Sequence, residues 1–171
     1  VGLDDERFRP LYEVADERAA VLMIHPTSPV GVEAMSEYWL MPLNGFLFDT
    51  TLAAAKLVFS GTVRRFPRIR WVLGHLGGTI PYLAERLDRG YRAFQECRTQ
   101  IDRPPTEYLK EHFYYDTVNF DPGALKLAID FAGADHVLAG SDYPHQIGSI
   151  PLMLEALRGL PISAEAKAGI L

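Results

Sequence analysis

Three short apolar runs in this sequence each end in a side chain able to bind a metal ion or move a proton. Val21-Leu22-Met23-Ile24 leads into His25, Trp71-Val72-Leu73 into Gly74-His75, and Val137-Leu138-Ala139 into Gly140-Ser141-Asp142. A neutral imidazole nitrogen is a common zinc or iron ligand, and a carboxylate is its natural harder partner in a mixed nitrogen/oxygen site. His25 and Asp142 suit that role. A single histidine after a strand is more often structural, but three strand ends carrying His, His and Asp make a shared site the better reading. His75 lies in the glycine-rich turn Gly74-His75-Leu76-Gly77-Gly78-Thr79. The spacing of Ile80, Leu83, Ala84, Leu87, Tyr91 and Phe94 predicts a helix over 79–97 with Thr79 as its N-cap. Its first backbone donors would then face His75, disfavour the imidazolium and hold an anion. The amides of Leu76 to Thr79 are the donors expected to face such an anion.

Position relative to the apolar runs sorts the remaining candidates. His112 and His136 precede their strands, at the end of a sheet where residues serve stability, and are read as structural. His145 follows the Pro144 turn at the opposite end and is expected to support the site or touch substrate. Asp116 and Thr117 close the third strand. A carboxylate there is expected to bond backbone amides of neighbouring loops rather than to enter the pocket.

The elements that position these residues alternate. Residues 3–18 read as a loop and helix with Phe8, Leu11, Tyr12 and Ala15 on one stripe, followed by a strand over 20–24. A Pro- and Gly-punctuated connection, 26–45, carries Met35, Tyr38, Trp39, Leu40 and Met41 and is long and apolar enough to cover a pocket or a partner subunit. Then come an apolar helix over 46–63, a strand ending at Leu73, the helix of 79–97 and a short helix ending at Glu111. A strand over 113–118, a helix over 122–132, a strand over 136–139 and two further helices complete the chain. Alternation of this kind means a parallel sheet, doubly wound or wrapped as a (β/α)8 barrel. Function at several successive strand ends favours the barrel, whose loops converge on one carboxyl face. A whole barrel takes about 250 residues. The expectation is therefore a single domain over 1–171 that forms the second half of a barrel, with the first half absent.

Composition narrows the partners. With 48% hydrophobic and 23% charged residues, the 171-residue chain reads as a soluble globular domain. A net charge of -5 without a Lys/Arg block argues against nucleic acid or an anionic membrane surface as partner. The one cysteine, Cys97, cannot form an internal disulfide, which fits a cytoplasmic setting. The longest apolar stretch, 46–60, contains Asp49 and Lys56 and is too short to span a bilayer.

Taken together, His25-Pro26, Arg65-Phe66-Pro67, Gly74-His75-Leu76-Gly77-Gly78, Pro81-Tyr82-Leu83, Tyr115-Asp116-Thr117 and Gly140-Ser141-Asp142-Tyr143-Pro144-His145 resemble the amidohydrolase-related (amidohydrolase 2) decarboxylases, typified by amino-carboxymuconate-semialdehyde decarboxylase. The opening Asp4-Asp5-Glu6-Arg7-Phe8-Arg9-Pro10-Leu11-Tyr12 resembles that family's segment before strand five, so the likeness covers nearly the whole chain in order. The resemblance implies an α/β, metal-dependent hydrolase-type (β/α)8 TIM barrel, with about strands five to eight in this chain. It implies His25 and Asp142 as metal ligands and His75 as the catalytic histidine, with Asp142 sharing proton handling; His145, Trp39 and Gly78 are read beside them as substrate contacts or as supports of the site. The family's first-strand pair, His-x-His or Glu-x-His, has no counterpart here. One divalent ion, zinc or else manganese, a small aromatic or unsaturated carboxylate substrate and a homodimer are what the likeness leads one to expect. A metal-dependent hydrolase of a lactone or amide is the nearest alternative. A non-catalytic piece in which Trp39, Met41, Phe46 and Phe48 form a dimer contact is another.

Overall fold

The structure, a computed structural model, describes residues 1–171. Strands β1 (Val21–Ile24), β2 (Arg70–Leu73), β3 (Phe113–Asp116) and β4 (Val137–Leu138) pair side by side, all parallel and in sequence order. The register aligns Leu22 with Trp71, Ile24 with Leu73, Trp71 with Phe113 and Leu73 with Tyr115. Alternate side chains of a strand share a face. Ile24, Trp71, Leu73, Phe113 and Tyr115 accordingly join one core against the helices, while Val21 and Met23 point the other way and are exposed.

Eight α-helices accompany the strands. They are α1 (Arg9–Glu17), α2 (Phe46–Phe59), α3 (Thr62–Arg65), α4 (Ile80–Ala93), α5 (Pro105–Glu111), α6 (Pro122–Ala132), α7 (Ile150–Gly159) and α8 (Ala164–Ile170). α6 shows how directly local chemistry can fix an element. Asp121 accepts from the Ala124 amide at 2.8 Å, Pro122 occupies the first helical position, and Gly133 at φ 92° ends it. Leu125 and Ala128 are its buried residues and join Val137, Met153, Leu157, Leu160 and Ile170 in a second core cluster. No helix is long and apolar enough to cross a membrane.

Several expected boundaries move. The helix expected over 46–63 stops at Phe59, because Gly61 turns the chain at φ 76° before α3. The helix expected to reach residue 97 ends at Ala93; Cys97 lies instead in a separate 3-10 turn, Gln95–Arg98. In α1 Tyr12 and Ala15 are buried but Leu11 is 55% exposed, so the stripe is narrower than its sequence suggests. The 26–45 connection contains a 3-10 turn, Val32–Met35, and a π-helical turn, Met41–Gly45, leading directly into α2.

Candidate active site

The carboxyl ends of β1 and β2 bring His25 and His75 together. Their ring centroids are 5.2 Å apart, and the ring of Phe46, the first residue of α2, lies 5.8 Å from each. The π-helical turn immediately before Phe46 delivers that side chain; such turns are rare and recur at functional sites. From the sequence alone Phe46 belongs with a possible dimer contact. Its one legible signal was its place at the start of the helix that follows the long connection.

The two histidines differ in environment. His25 is exposed, whereas His75 is only 9% exposed and its Nδ1 is buried with no hydrogen-bond partner. Burial lowers the His75 pKa. The carboxylates of Asp116 and Asp142 oppose that shift, and the neighbouring His25 and His145 reinforce it. The imidazole is therefore held towards its neutral form, chiefly by desolvation. Asp142 follows β4 in a left-handed conformation, φ 54°, and acts on His75 through its charge.

The turn between β2 and α4 is organised differently from the expected anion cradle. The amide of His75 donates to Asp116 Oδ2 at 3.1 Å and that of Leu76 to Asp116 Oδ1 at 2.8 Å. Gly77 donates to the Gly74 carbonyl, Gly78 to the His75 carbonyl, and Thr79 to Thr51 Oγ1 at 2.9 Å. Every amide from Leu76 to Thr79 is thus engaged within the protein, and none is left to orient a substrate carboxylate. Thr79 stands at the N-cap position of α4 without making a cap bond; its hydroxyl pairs with Thr51 on α2. Thr51 escaped sequence reasoning because its partner is 28 residues away. Asp116 does what its position suggested, bonding backbone amides across loops, and Thr117 Oγ1 links β3 to both the N–H and the C=O of Gly140 at 3.0 Å.

The remaining candidates are more peripheral. His145 and Trp39 are exposed, Trp39 at 73% and at φ 57°. Gly78 packs its α-carbon on α2, where an added Cβ would stand 2.2 Å from the Leu47 carbonyl. At the opposite end His136 Nδ1 contacts the Phe113 carbonyl at 2.8 Å and its ring stacks on Tyr114, while His112 is buried beneath α5. Both fill structural places.

His25, His75 and Asp142 have the donor chemistry for a divalent ion, and the orphaned Nδ1 leaves one buried nitrogen without an assigned partner. They fit a share of a metal site rather than a whole one. No group of three or more His, Cys, Asp or Glu side chains in this chain is gathered closely enough to hold an ion unaided.

The amidohydrolase family model matches residues 1–171. The chain is 32% identical over 150 residues to 2-amino-3-carboxymuconate-6-semialdehyde decarboxylase of Dictyostelium discoideum, covering 87% of this chain and 42% of that protein. It is 34% identical over 148 residues to 6-methylsalicylic acid decarboxylase of Penicillium expansum, covering 81% and 43%. Among solved structures, 5-carboxyvanillate decarboxylase of Sphingomonas paucimobilis superposes with a TM-score of 0.90 at 28% identity, over 99% of this chain and 52% of that one. Dihydroxybenzoic acid decarboxylase of Polaromonas, crystallised with manganese and 2-nitroresorcinol, gives 0.88 at 27% identity and the same coverage. These neighbours are TIM barrels, so the four parallel strands correspond to about half of such a barrel. The chain likewise spans less than half the length of the two decarboxylases it matches in sequence.

Proposed function

The chain belongs to the amidohydrolase family, and on that premise we propose that it supplies the second half of a (β/α)8 barrel that decarboxylates a small aromatic or unsaturated carboxylic acid with the help of a divalent metal ion. The observation that carries the reading is the meeting of His25 and His75, 5.2 Å apart at adjacent strand ends, with the buried partner held towards neutrality. His25 and Asp142 would hold the ion, zinc in the first instance and manganese in the second; the manganese in the Polaromonas enzyme supports a divalent cation. When bound, the ion acts as a Lewis acid that draws electron density from the substrate.

The chain's own groups do the rest. The neutral His75 imidazole exchanges a proton with substrate or water, and Asp142 shares that proton. Phe46 and the desolvated turn keep water away from the ring of His75. His145 and Trp39 contact the substrate at the mouth, and Gly78 lets the His75 turn pack closely on α2. Exposed Phe48 suits a homodimer contact, and the unpaired Cys97 suits a cytoplasmic protein. The charge of -5 speaks against nucleic acid as a partner.

The test is CO2 release from small aromatic acids, 6-methylsalicylate and 2,6-dihydroxybenzoate among them, by the zinc- or manganese-loaded protein that contains this chain. Release is expected, with His75→Asn lowering kcat by about 10²-fold or more. Lactone or amide hydrolysis without CO2, or undiminished turnover in His75→Asn, would overturn the reading.

A further inference from the structure

His75 is oriented without a hydrogen bond to its buried Nδ1, and we propose that Asp116 is the positioning residue that takes over this task, acting through the backbone of the turn. The inference rests on the reading of His75 as the reacting group. An imidazole in a functional site is commonly aligned by a partner on its second nitrogen. Within this chain that nitrogen has none, and the ring's direction follows from where the backbone places it and from the flanking rings of His25 and Phe46.

That backbone is held in an unfavourable conformation. His75 and Leu76 both have φ of 55°, the left-handed region, which disfavours an L-residue by about 1–2 kcal/mol. Two such residues in succession persist only where the surroundings over-determine them. The surroundings are the Asp116 carboxylate, 6% exposed at the end of β3. Oδ2 takes the His75 amide, and Oδ1 takes both the Leu76 amide and, at 3.0 Å, the Val118 amide of its own strand end. One carboxylate thus ties the left-handed pair to the neighbouring strand. Hydrogen bonds to a charged acceptor are the stronger kind, which suits a group opposing strain. The anion served by this turn is accordingly the protein's own.

The geometry dictates a selective variant. In Asp116→Asn a carboxamide oxygen placed like Oδ1 keeps the Leu76 and Val118 bonds, whereas its NH2 then faces the His75 N–H and repels it. The opposite flip would forfeit two bonds to keep one. The measurement is amide exchange together with ¹⁵N- and ¹³C-resolved NMR on the protein that contains this chain, without metal or substrate. In Asp116→Asn, exchange at the His75 amide is expected to rise about tenfold. The His75 ring Cε1 resonance should shift, and the Leu76 and Val118 amides should stay protected. Thr117→Val, which removes the β3–β4 link instead, should leave the His75 signals in place. Unchanged His75 signals in Asp116→Asn, or equal loosening at all three amides, would overturn the proposal. Should Asp116→Asn fail to fold, Asp116→Glu in the same protein decides: exchange at the His75 amide faster than in the unaltered protein, together with a shifted His75 ring resonance, supports the proposal, and unchanged His75 signals overturn it. Because these signals need no turnover, they can fail while CO2 release stands, and the converse holds as well.

Discussion

The two connections that carry the histidines are built on opposite principles. The turn after β2 is short and buried, and each of its amides from His75 to Thr79 has a partner, two of them on Asp116 of β3 and one on Thr51 of α2. The connection after β1 runs over twenty residues from His25 to the start of α2, places Val30, Tyr38 and Trp39 in solvent, and is organised by single 3-10 and π turns. The first connection is therefore held at every amide, and the second lies largely open to solvent.

A matched pair of glycines tests that contrast. Gly78, at φ 63° and ψ -118°, packs where a Cβ would meet the Leu47 carbonyl at 2.2 Å and Thr51 Oγ1 at 2.6 Å. Gly78→Ala combines strain with a clash against backbone, and a loss of about 3 kcal/mol in denaturant-derived stability is expected. Gly31 also has positive φ, 78°, but nothing stands within 4 Å of its would-be Cβ. Gly31→Ala should lose about 1 kcal/mol, the strain alone. Equal losses at the two glycines would erase the distinction between the connections. At the small end, Trp39→Ala should change stability by less than about 0.5 kcal/mol, since the side chain is 73% exposed. A larger loss in the same denaturation measurement would mean that the β1–α2 connection is packed more tightly than its exposure implies.

Legibility in the sequence followed the range of the interactions involved. α6 could be read residue by residue, because Asp121, Pro122 and Gly133 act on their immediate neighbours. The four strands were recognisable as apolar runs, and His25, His75 and Asp142 fell after them because each was read relative to its own strand. Thr79 misled: a threonine before an apolar-periodic helix ordinarily caps it, but here Thr51, on another helix, offered a competing partner. The amides of Leu76 to Thr79 misled in the same way. Unpaired donors at a helix start are a local inference, and their actual acceptors include a carboxylate 40 residues downstream.

By itself the sequence determined the alternation of strands and helices, the parallel sheet, and which side chains occur at its carboxyl end, since periodicity and turn chemistry operate over a few residues. Only the tertiary structure decided that Phe46 lies against both imidazoles, that His75 is buried with an unpartnered nitrogen, and that Asp116 claims the turn's amides. Those outcomes depend on which distant groups arrive at the same place and exclude water there, and no local pattern encodes that.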